Sequence, residues 1–276
     1  MGRSKKKLRI GILGCGAIGS RIARSINKEL KGICSLGGFF DSERQKMERL
    51  AATLSVPKKF IKKSLEDLIK NCDLMVESVN APRTDAFIRQ ALSANRHVLA
   101  MSVGKLLGKE NLFSLAARQG CSLLIPSGAI AGIDALKAAS LGHIDKIILT
   151  TRKPLSGFGP NPFFEKNKID LSRITQETMI FKGDVSSAVK FFPQNINVAA
   201  TLALAGRHQE KLTVRIVTSP DFVTNSHEVE VTGDFGRMVS RTDNVPCHDN
   251  PKTSLLAVLS AIQTLKDFCS GNRIGT

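Results

Sequence analysis

The chain has 276 residues, long for one compact domain and natural for two. Hydrophobic residues make up 42% and charged residues 23%, so a sizeable core is expected, while 40 Lys and Arg against 24 Asp and Glu leave a net charge of +16 that attracts anions. No apolar run approaches the roughly 20 residues of a bilayer span, which excludes a membrane role, and the absence of Trp and Tyr argues against base stacking on nucleic acid.

In chain order, residues 8–13 form a β-capable run without polar alternation, as a buried parallel strand requires. Lys5-Lys6-Lys7 ahead of it imitates a secretory leader ending in a lipid-modified Cys15. The apolar stretch is too short for that, contains Arg9 and is broken by glycines. Gly14-Cys15-Gly16-Ala17-Ile18-Gly19 follows at once, then a helix over 20–30, a strand over 35–41 that ends in Asp41, and a helix over 42–54. The alternation continues with a helix over 64–71, a strand over 74–78, a helix over 84–94, a strand over 97–101, a helix over 109–119 and a strand over 121–125. Strands alternating with helices of about ten residues argue for a parallel sheet wound on both faces.

Past residue 130 the rhythm changes. Strand candidates at 146–151, 175–181, 212–218 and 227–232 are separated by Pro- and Gly-marked segments, which suits a mixed or antiparallel sheet. A helix is expected over 196–205, stopped by Gly206, and another over 252–268, with Asn250 as its cap and Pro251 at its first position. The fold class is therefore α/β, a Rossmann-type doubly wound sheet with a second α+β substrate and dimerisation domain. The first domain is expected at 1–132, completed by 249–276, and the second at 133–248.

The glycine fingerprint follows a strand, opens a helix and is followed by an acid, Asp41, 22 residues after Gly19. Gly14 permits the turn, Gly16 lets the backbone approach a pyrophosphate, and Gly19 lets helix and strand pack closely. Ala17 and Ile18 complete the fingerprint ahead of the helix, whose unpaired N-terminal N–H groups favour phosphate. Asp41 would accept the two adenosine ribose hydroxyls, which favours NAD, although Ser42 and Arg44 leave a 2′-phosphate and thus NADP open. The competing reading is a structural turn that binds no nucleotide.

Other segments carry chemistry less directly. Pro126 to Gly132 leaves a strand end with two glycines, giving a backbone path close to a flat ligand, or else an ordinary connecting loop. Asn195 and Asn197 stand at the start of a small-residue helix; one can cap it, and Asn197 is the better candidate to hold a carboxamide. Of the five histidines, His227 shares a strand face with Val229 and Val231, while Glu228 and Glu230 point away. Such a half-buried imidazole is more often a satisfied core group than a catalyst. His248, beside the Asp-Asn-Pro start of the last helix, is the second candidate. The six cysteines show no CxxC, which fits reduced thiols in a cytoplasm, and no metal is expected.

Four segments, Ser102-Val103-Gly104, Pro126-Ser127-Gly128-Ala129-Ile130-Ala131-Gly132, Phe192 to Leu202 and Asn250-Pro251-Lys252-Thr253-Ser254, resemble the L-aspartate dehydrogenase family. With the N-terminal fingerprint they run in the family's order over nearly the whole chain, and Phe-Pro-x-Asn-x-Asn-Val is the most specific of them. The resemblance implies a two-domain enzyme, typically a homodimer, that uses NAD or NADP to deaminate L-aspartate oxidatively. The product is iminosuccinate, which hydrolyses to oxaloacetate and ammonia or feeds NAD biosynthesis. It also implies that the last helix returns to the nucleotide domain. The family's active-site histidine falls on His227 within Asn225-Ser226-His227, and cofactor contacts fall on Ser102, Ala131 and Asn197.

A substrate with two carboxylates needs cations and donors. Arg152-Lys153 at a strand end, of which Lys153 is preferred, Lys252-Thr253-Ser254 at a helix start, and Asn195 are the candidates. Two departures stand out: the seven-residue basic start, and Lys105 after Ser-Val-Gly where a small residue is expected. The alternatives are a related dehydrogenase acting on homoserine or dihydrodipicolinate, a catalytically silent NAD(H)-binding protein, and a nucleic-acid binder. The positive charges are not blocked into arms, so no nucleic-acid partner is expected.

Overall fold

The structure is a computed structural model that describes residues 7–192, 196–247, 250–272 and 274–275. It divides into two compact units, Met1–Pro126 with Val258–Arg273, and Ser127–Ala257 with Ile274–Thr276.

The first unit alternates strand and helix: β1 (Leu8–Leu13), α1 (Ala17–Asn27), β2 (Cys34–Phe40), α2 (Arg44–Leu54), α3 (Leu65–Lys70), β3 (Leu74–Glu77), α4 (Thr84–Ser93), β4 (His97–Ala100), α5 (Asn111–Arg118) and β5 (Leu123–Leu124). Its five strands pair in the order β2-β1-β3-β4-β5, every ladder parallel. Ile10, Ile12, Leu74, Val76, Val98 and Leu99 are fully buried, the near-continuous apolar strands of a sheet covered on both faces. α1 begins three residues before the expected 20, because Ala17-Ile18-Gly19 is already its first turn.

The second unit contains α6 (Ile133–Ala139), β6 (Ile144–Pro154), α7 (Pro162–Lys166), β7 (Thr178–Gly183), α8 (Val185–Phe191), α9 (Ile196–Gly206), β8 (Leu212–Ser219), β9 (Asn225–Gly233), β10 (Gly236–Asn244), β11 (Pro246–Cys247) and β12 (Asn250–Ser254). The sheet order is β10-β9-β6-β8-β7, mixed as the spacing of the strands suggests, with only β6 and β8 parallel. The last helix, α10 (Leu255–Ser270), passes from the second unit into the first, where the Phe268 ring meets His97 edge-on with centroids 4.8 Å apart.

Two expected helix ends are corrected. Gly206 does not stop its helix from outside: it is the last residue of α9, and Arg207 takes the left-handed turn at φ 53°. A Cβ at Gly206 would stand 3.1 Å from Ile147 and 3.4 Å from Leu136, so the glycine serves close packing of α9 on β6 and α6. Nor does Asn250 cap the final helix. Residues Asn250–Ser254 form a strand paired with β11, and α10 starts at Leu255. The polar groups of this segment are spent on the hairpin: Asn250 Nδ2 donates to Thr253 Oγ1 at 2.9 Å, and Leu255 N–H donates to Val245 O at 2.9 Å.

Residues 127–132 group with the second unit, six residues earlier than the change of pattern in the sequence suggests. Their carbonyls are held there. Thr242 Oγ1 donates to Ala129 O at 2.6 Å and Ser240 Oγ to Ala131 O at 2.9 Å, both from β10.

Candidate active site

In the first unit the turn after β1 is tied down from both sides. Gly14 N–H donates to Phe40 O at 2.8 Å, and with φ at 95° the residue occupies a region that L side chains avoid. A Cβ at Gly19 would run into the Gly14 carbonyl and stand 2.6 Å from Ser78 Oγ, so that only glycine lets α1 start this close to the strand. Gly16 is different: a Cβ there meets nothing within 4 Å. That opening lies at the start of α1, where no side chain caps the helix and no acid stands in the first turn. The first-turn N–H groups are thus left to an incoming anion, with the helix dipole behind them. This cradle fits the pyrophosphate of a dinucleotide.

Asp41 follows β2 and reaches back under the turn. Its Oδ2 accepts Cys15 N–H at 2.7 Å and its Oδ1 accepts Glu43 N–H at 2.9 Å, and each oxygen keeps a lone pair for a ribose hydroxyl. Arg44, the sequence's candidate for a 2′-phosphate, instead pairs with Glu48 at 2.9 Å and is 84% exposed. Ser102, after β4, donates from its backbone N–H to Glu77 Oε2 at 3.1 Å and from its hydroxyl to Val79 O at 2.6 Å. Lys105 is exposed.

In the second unit the register places His227 opposite Thr151 on β6 and opposite Thr242 on β10. His227, Val229 and Val231 therefore lie on one face with Leu149, Thr151 and Lys153, the face that α9 and α6 cover at Ile147. The other face carries ion pairs: Lys146 with Glu230 at 3.2 Å, and Arg152 with Glu228 at 3.2 Å and with Glu177 at 3.3 Å. The neighbouring cations Arg152 and Lys153 are thus separated. Arg152 is committed to glutamates, whereas Lys153 is buried on the histidine's face, two residues along β6 from Thr151, with Nζ 5.0 Å from the centre of the Phe158 ring.

His227 is 7% exposed, and its Nδ1 lies 3.0 Å from Thr151 Oγ1. Burial lowers its pKa from 6.5 to about 4, so the imidazole is neutral at neutral pH. The linkage has a definite sign. The unfolded state takes up a proton near pH 6.5 and the folded state does not until about 4, so stability is full above 6.5 and falls as pH drops. Urea titrations should show about 2 kcal/mol lost between pH 7.5 and pH 5 that His227→Gln does not lose. Equal losses in the two proteins would place the buried proton elsewhere.

Asn244, at the end of β10 and buried, connects the sequence-predicted segments of this unit. Its Nδ2 donates to Ala129 O at 3.2 Å, and its Oδ1 accepts the Ser254 hydroxyl at 2.8 Å. The hydroxyls of Thr253 and Ser254 thus serve the β11–β12 hairpin and its tie to the loop, on a strand and not at a helix start. Ala131 sits on the exposed side of that loop. Asn197 lies in the first turn of α9, exposed, its carbonyl accepting Thr201 Oγ1 at 2.8 Å. Asn195, His248 and the side chain of Lys252 lie outside the described residues.

Sequence reasoning missed Thr151, Ser240, Thr242, Asn244 and Glu77. Ser240, Thr242 and Asn244 follow once β10 is recognised, and the signal was present: Gly233-Asp234-Phe235-Gly236 is a two-residue hairpin turn, and Met238, Ser240 and Thr242 alternate with Arg237, Arg241 and Asp243.

Known proteins divide the chain along similar lines. A family model described as homoserine dehydrogenase, NAD binding domain, matches residues 14–126, and one described as aspartate dehydrogenase, C-terminal, matches residues 134–268. The L-aspartate dehydrogenase of Methanosarcina barkeri is 43% identical over 98% of this chain and 100% of its own length. That of Methanococcus maripaludis is 38% identical over the same shares. Among solved structures, an aspartate dehydrogenase from Thermotoga maritima superposes with a TM-score of 0.73 at 22% identity, covering 98% of this chain and 100% of that one. A homoserine dehydrogenase from Thiobacillus denitrificans reaches 0.61 at 14%, covering 96% of this chain and 73% of that one. The fold agrees with both structures, and the sequence match over the full length decides between them: the chain belongs to the aspartate dehydrogenase family.

Proposed function

We propose that this chain oxidises L-aspartate with NAD, or with NADP, to iminosuccinate, which takes up water to give oxaloacetate and ammonia, and that it runs the reverse amination. The observation that carries the reading is the buried, neutral imidazole of His227, bonded to Thr151 on the same sheet face as the buried cation Lys153. When bound, the nicotinamide supplies the hydride acceptor; the chain's residues supply the rest.

Aspartate enters with its amine protonated, and the amine must be neutral before the α-carbon can release hydride. In this reading Nδ1–H of His227 donates to Thr151 Oγ1, which leaves Nε2 as the acceptor of that proton. Once that proton has passed to solvent, the same nitrogen is free to take one from the water that attacks the imine carbon and to return it to the departing ammonia. Lys153 holds one substrate carboxylate, its buried position strengthening the charge-assisted bond. Gly14, Gly16, Ala17, Ile18 and Gly19 hold the pyrophosphate and Asp41 the adenosine ribose, while Ser102, Ala131 and Asn197 are assigned to the cofactor on family grounds. Asn195, Lys252, Thr253 and Ser254 keep their assignment to substrate on the same grounds. A homodimer and a cytoplasmic location accompany this reading, the latter supported by six free thiols. Among the described residues no helix is long and apolar enough to cross a membrane.

The test is an amination assay that follows NADH and NADPH consumption. Oxaloacetate with ammonium should be turned over, whereas aspartate semialdehyde and dihydrodipicolinate should not. Turnover of either of the last two in preference to oxaloacetate would sink the assignment, and tight NADH binding without any amination would point to a silent binding protein.

A further inference from the structure

The chemistry above leaves one buried acid unused. Glu77 ends β3 with no exposed surface, and the groups that act on it are hydrogen-bond donors from the turns after β3 and β4, with no cation among them. Val79 N–H donates to Oε1 at 2.9 Å and Ser102 N–H to Oε2 at 3.1 Å, so the carboxyl joins two turns that are far apart in sequence. The Ser102 hydroxyl completes the ring. It lies 2.6 Å from Val79 O and 2.9 Å from Glu77 Oε1. A hydroxyl has one proton and a carbonyl has none, so the shorter contact uses the serine's proton. At the longer distance the same hydroxyl faces the Glu77 carboxyl, and burial pushes the Glu77 pKa up.

Both turns lie at the carboxyl ends of their strands, the edge where a doubly wound sheet binds its dinucleotide. The sheet order β2-β1-β3-β4-β5 puts Asp41, the ribose acceptor, on one side of the β1 cradle, and the Val79 and Ser102 turns on the other. A dinucleotide whose adenosine lies over β2 therefore extends its nicotinamide half over β3 and β4. We propose that Glu77 is a positioning residue for the nicotinamide half of the cofactor: it fixes the turns at Val79 and Ser102 in register without touching the ligand. The inference rests on the NAD(P)-binding reading above. It also explains why an acid is needed. Two N–H donors from separate turns call for two acceptor oxygens, and glutamine has only one, so its NH₂ group would face an N–H whichever way it turned.

The test compares the binding of NADH with that of ADP, which shares the adenosine and pyrophosphate and lacks the nicotinamide half. In Glu77→Gln, NADH should bind about tenfold more weakly or worse, while ADP binds within about twofold of wild type. Glu77→Asp keeps both acceptors but retracts them by one methylene, and it should shift the same ratio if the glutamine variant does not fold. A purely structural role would weaken both ligands alike, and that outcome overturns the proposal, as would an unchanged NADH affinity in a folded variant. Wild-type protein that binds neither ligand would overturn the NAD(P) reading and this proposal with it. An unchanged ratio in variants of a wild type that binds both removes only the positioning role.

Discussion

Replacing His227 with alanine should lower kcat for aspartate oxidation by about 10²- to 10⁴-fold, the range for a lost general base, while NADH affinity stays within about twofold. The separation follows from where each function resides. The pyrophosphate cradle and Asp41 belong to the first unit, whereas His227 belongs to β9 of the second. Packing must be controlled for, because the imidazole is buried against Thr151 and its removal leaves a cavity. His227→Gln keeps most of the volume and a hydrogen bond but cannot act as a base, so it should lose turnover to the same extent with a smaller drop in melting temperature. Turnover within about tenfold of wild type in either variant, or a parallel loss of NADH affinity, would remove His227 from the chemistry.

The second large effect divides two glycines of one fingerprint. Gly16→Ala places a methyl where nothing stands within 4 Å, at an ordinary φ of −72°, so the fold should be as stable as wild type. The methyl nevertheless occupies the approach of the pyrophosphate, and NADH should bind at least about tenfold more weakly through the loss of backbone contacts to a charged group. Gly19→Ala is the reverse case. Its methyl meets the Gly14 carbonyl and Ser78 Oγ, backbone and short side chain that cannot swing away. Overpacking of this kind costs about 3 kcal/mol or more, which lowers the melting temperature by roughly 5–10 °C in a domain of this size. Calorimetry and NADH titration on the two variants separate the cases. A destabilised Gly16→Ala with unchanged NADH affinity would mean that the opening is not the phosphate site.

The nucleotide-binding unit was legible because its signals are local. Its strands read as short β-capable runs without polar alternation, such as 8–13, alternating with helices of about ten residues, and the fingerprint fixes the first turn. The second unit was harder for physical reasons. β10 presents hydroxyls and charges along its length, Met238, Ser240 and Thr242 on one side and Arg237, Arg241 and Asp243 on the other, so it offers little hydrophobic contrast. Asn250-Pro251 has the composition of a helix start, yet its groups bond within a hairpin, because tertiary partners at Asn244 and Val245 outweigh local preference. The candidate histidine was legible as a position on a strand face. Its partner Thr151 was not, since pairing across 76 residues leaves no trace in local pattern. Glu77 lay inside the strand expected over 74–78, and only the meeting of two distant turns around it shows a use for its two acceptor oxygens.

The loop at 127–132 leaves the last strand of the parallel sheet, yet its carbonyls are fastened by hydroxyls and an amide of β10. The loop thus groups with the strand that fastens it and not with the sheet it leaves. A gene fusion that exchanges the first unit at Pro126 would carry this loop with the second unit, already folded against the strand that shapes it, whereas a junction at Gly132 would graft a foreign loop onto hydroxyls spaced for another backbone. The seam between interchangeable parts thus lies just upstream of the segment that sequence pattern alone would assign to the cofactor side.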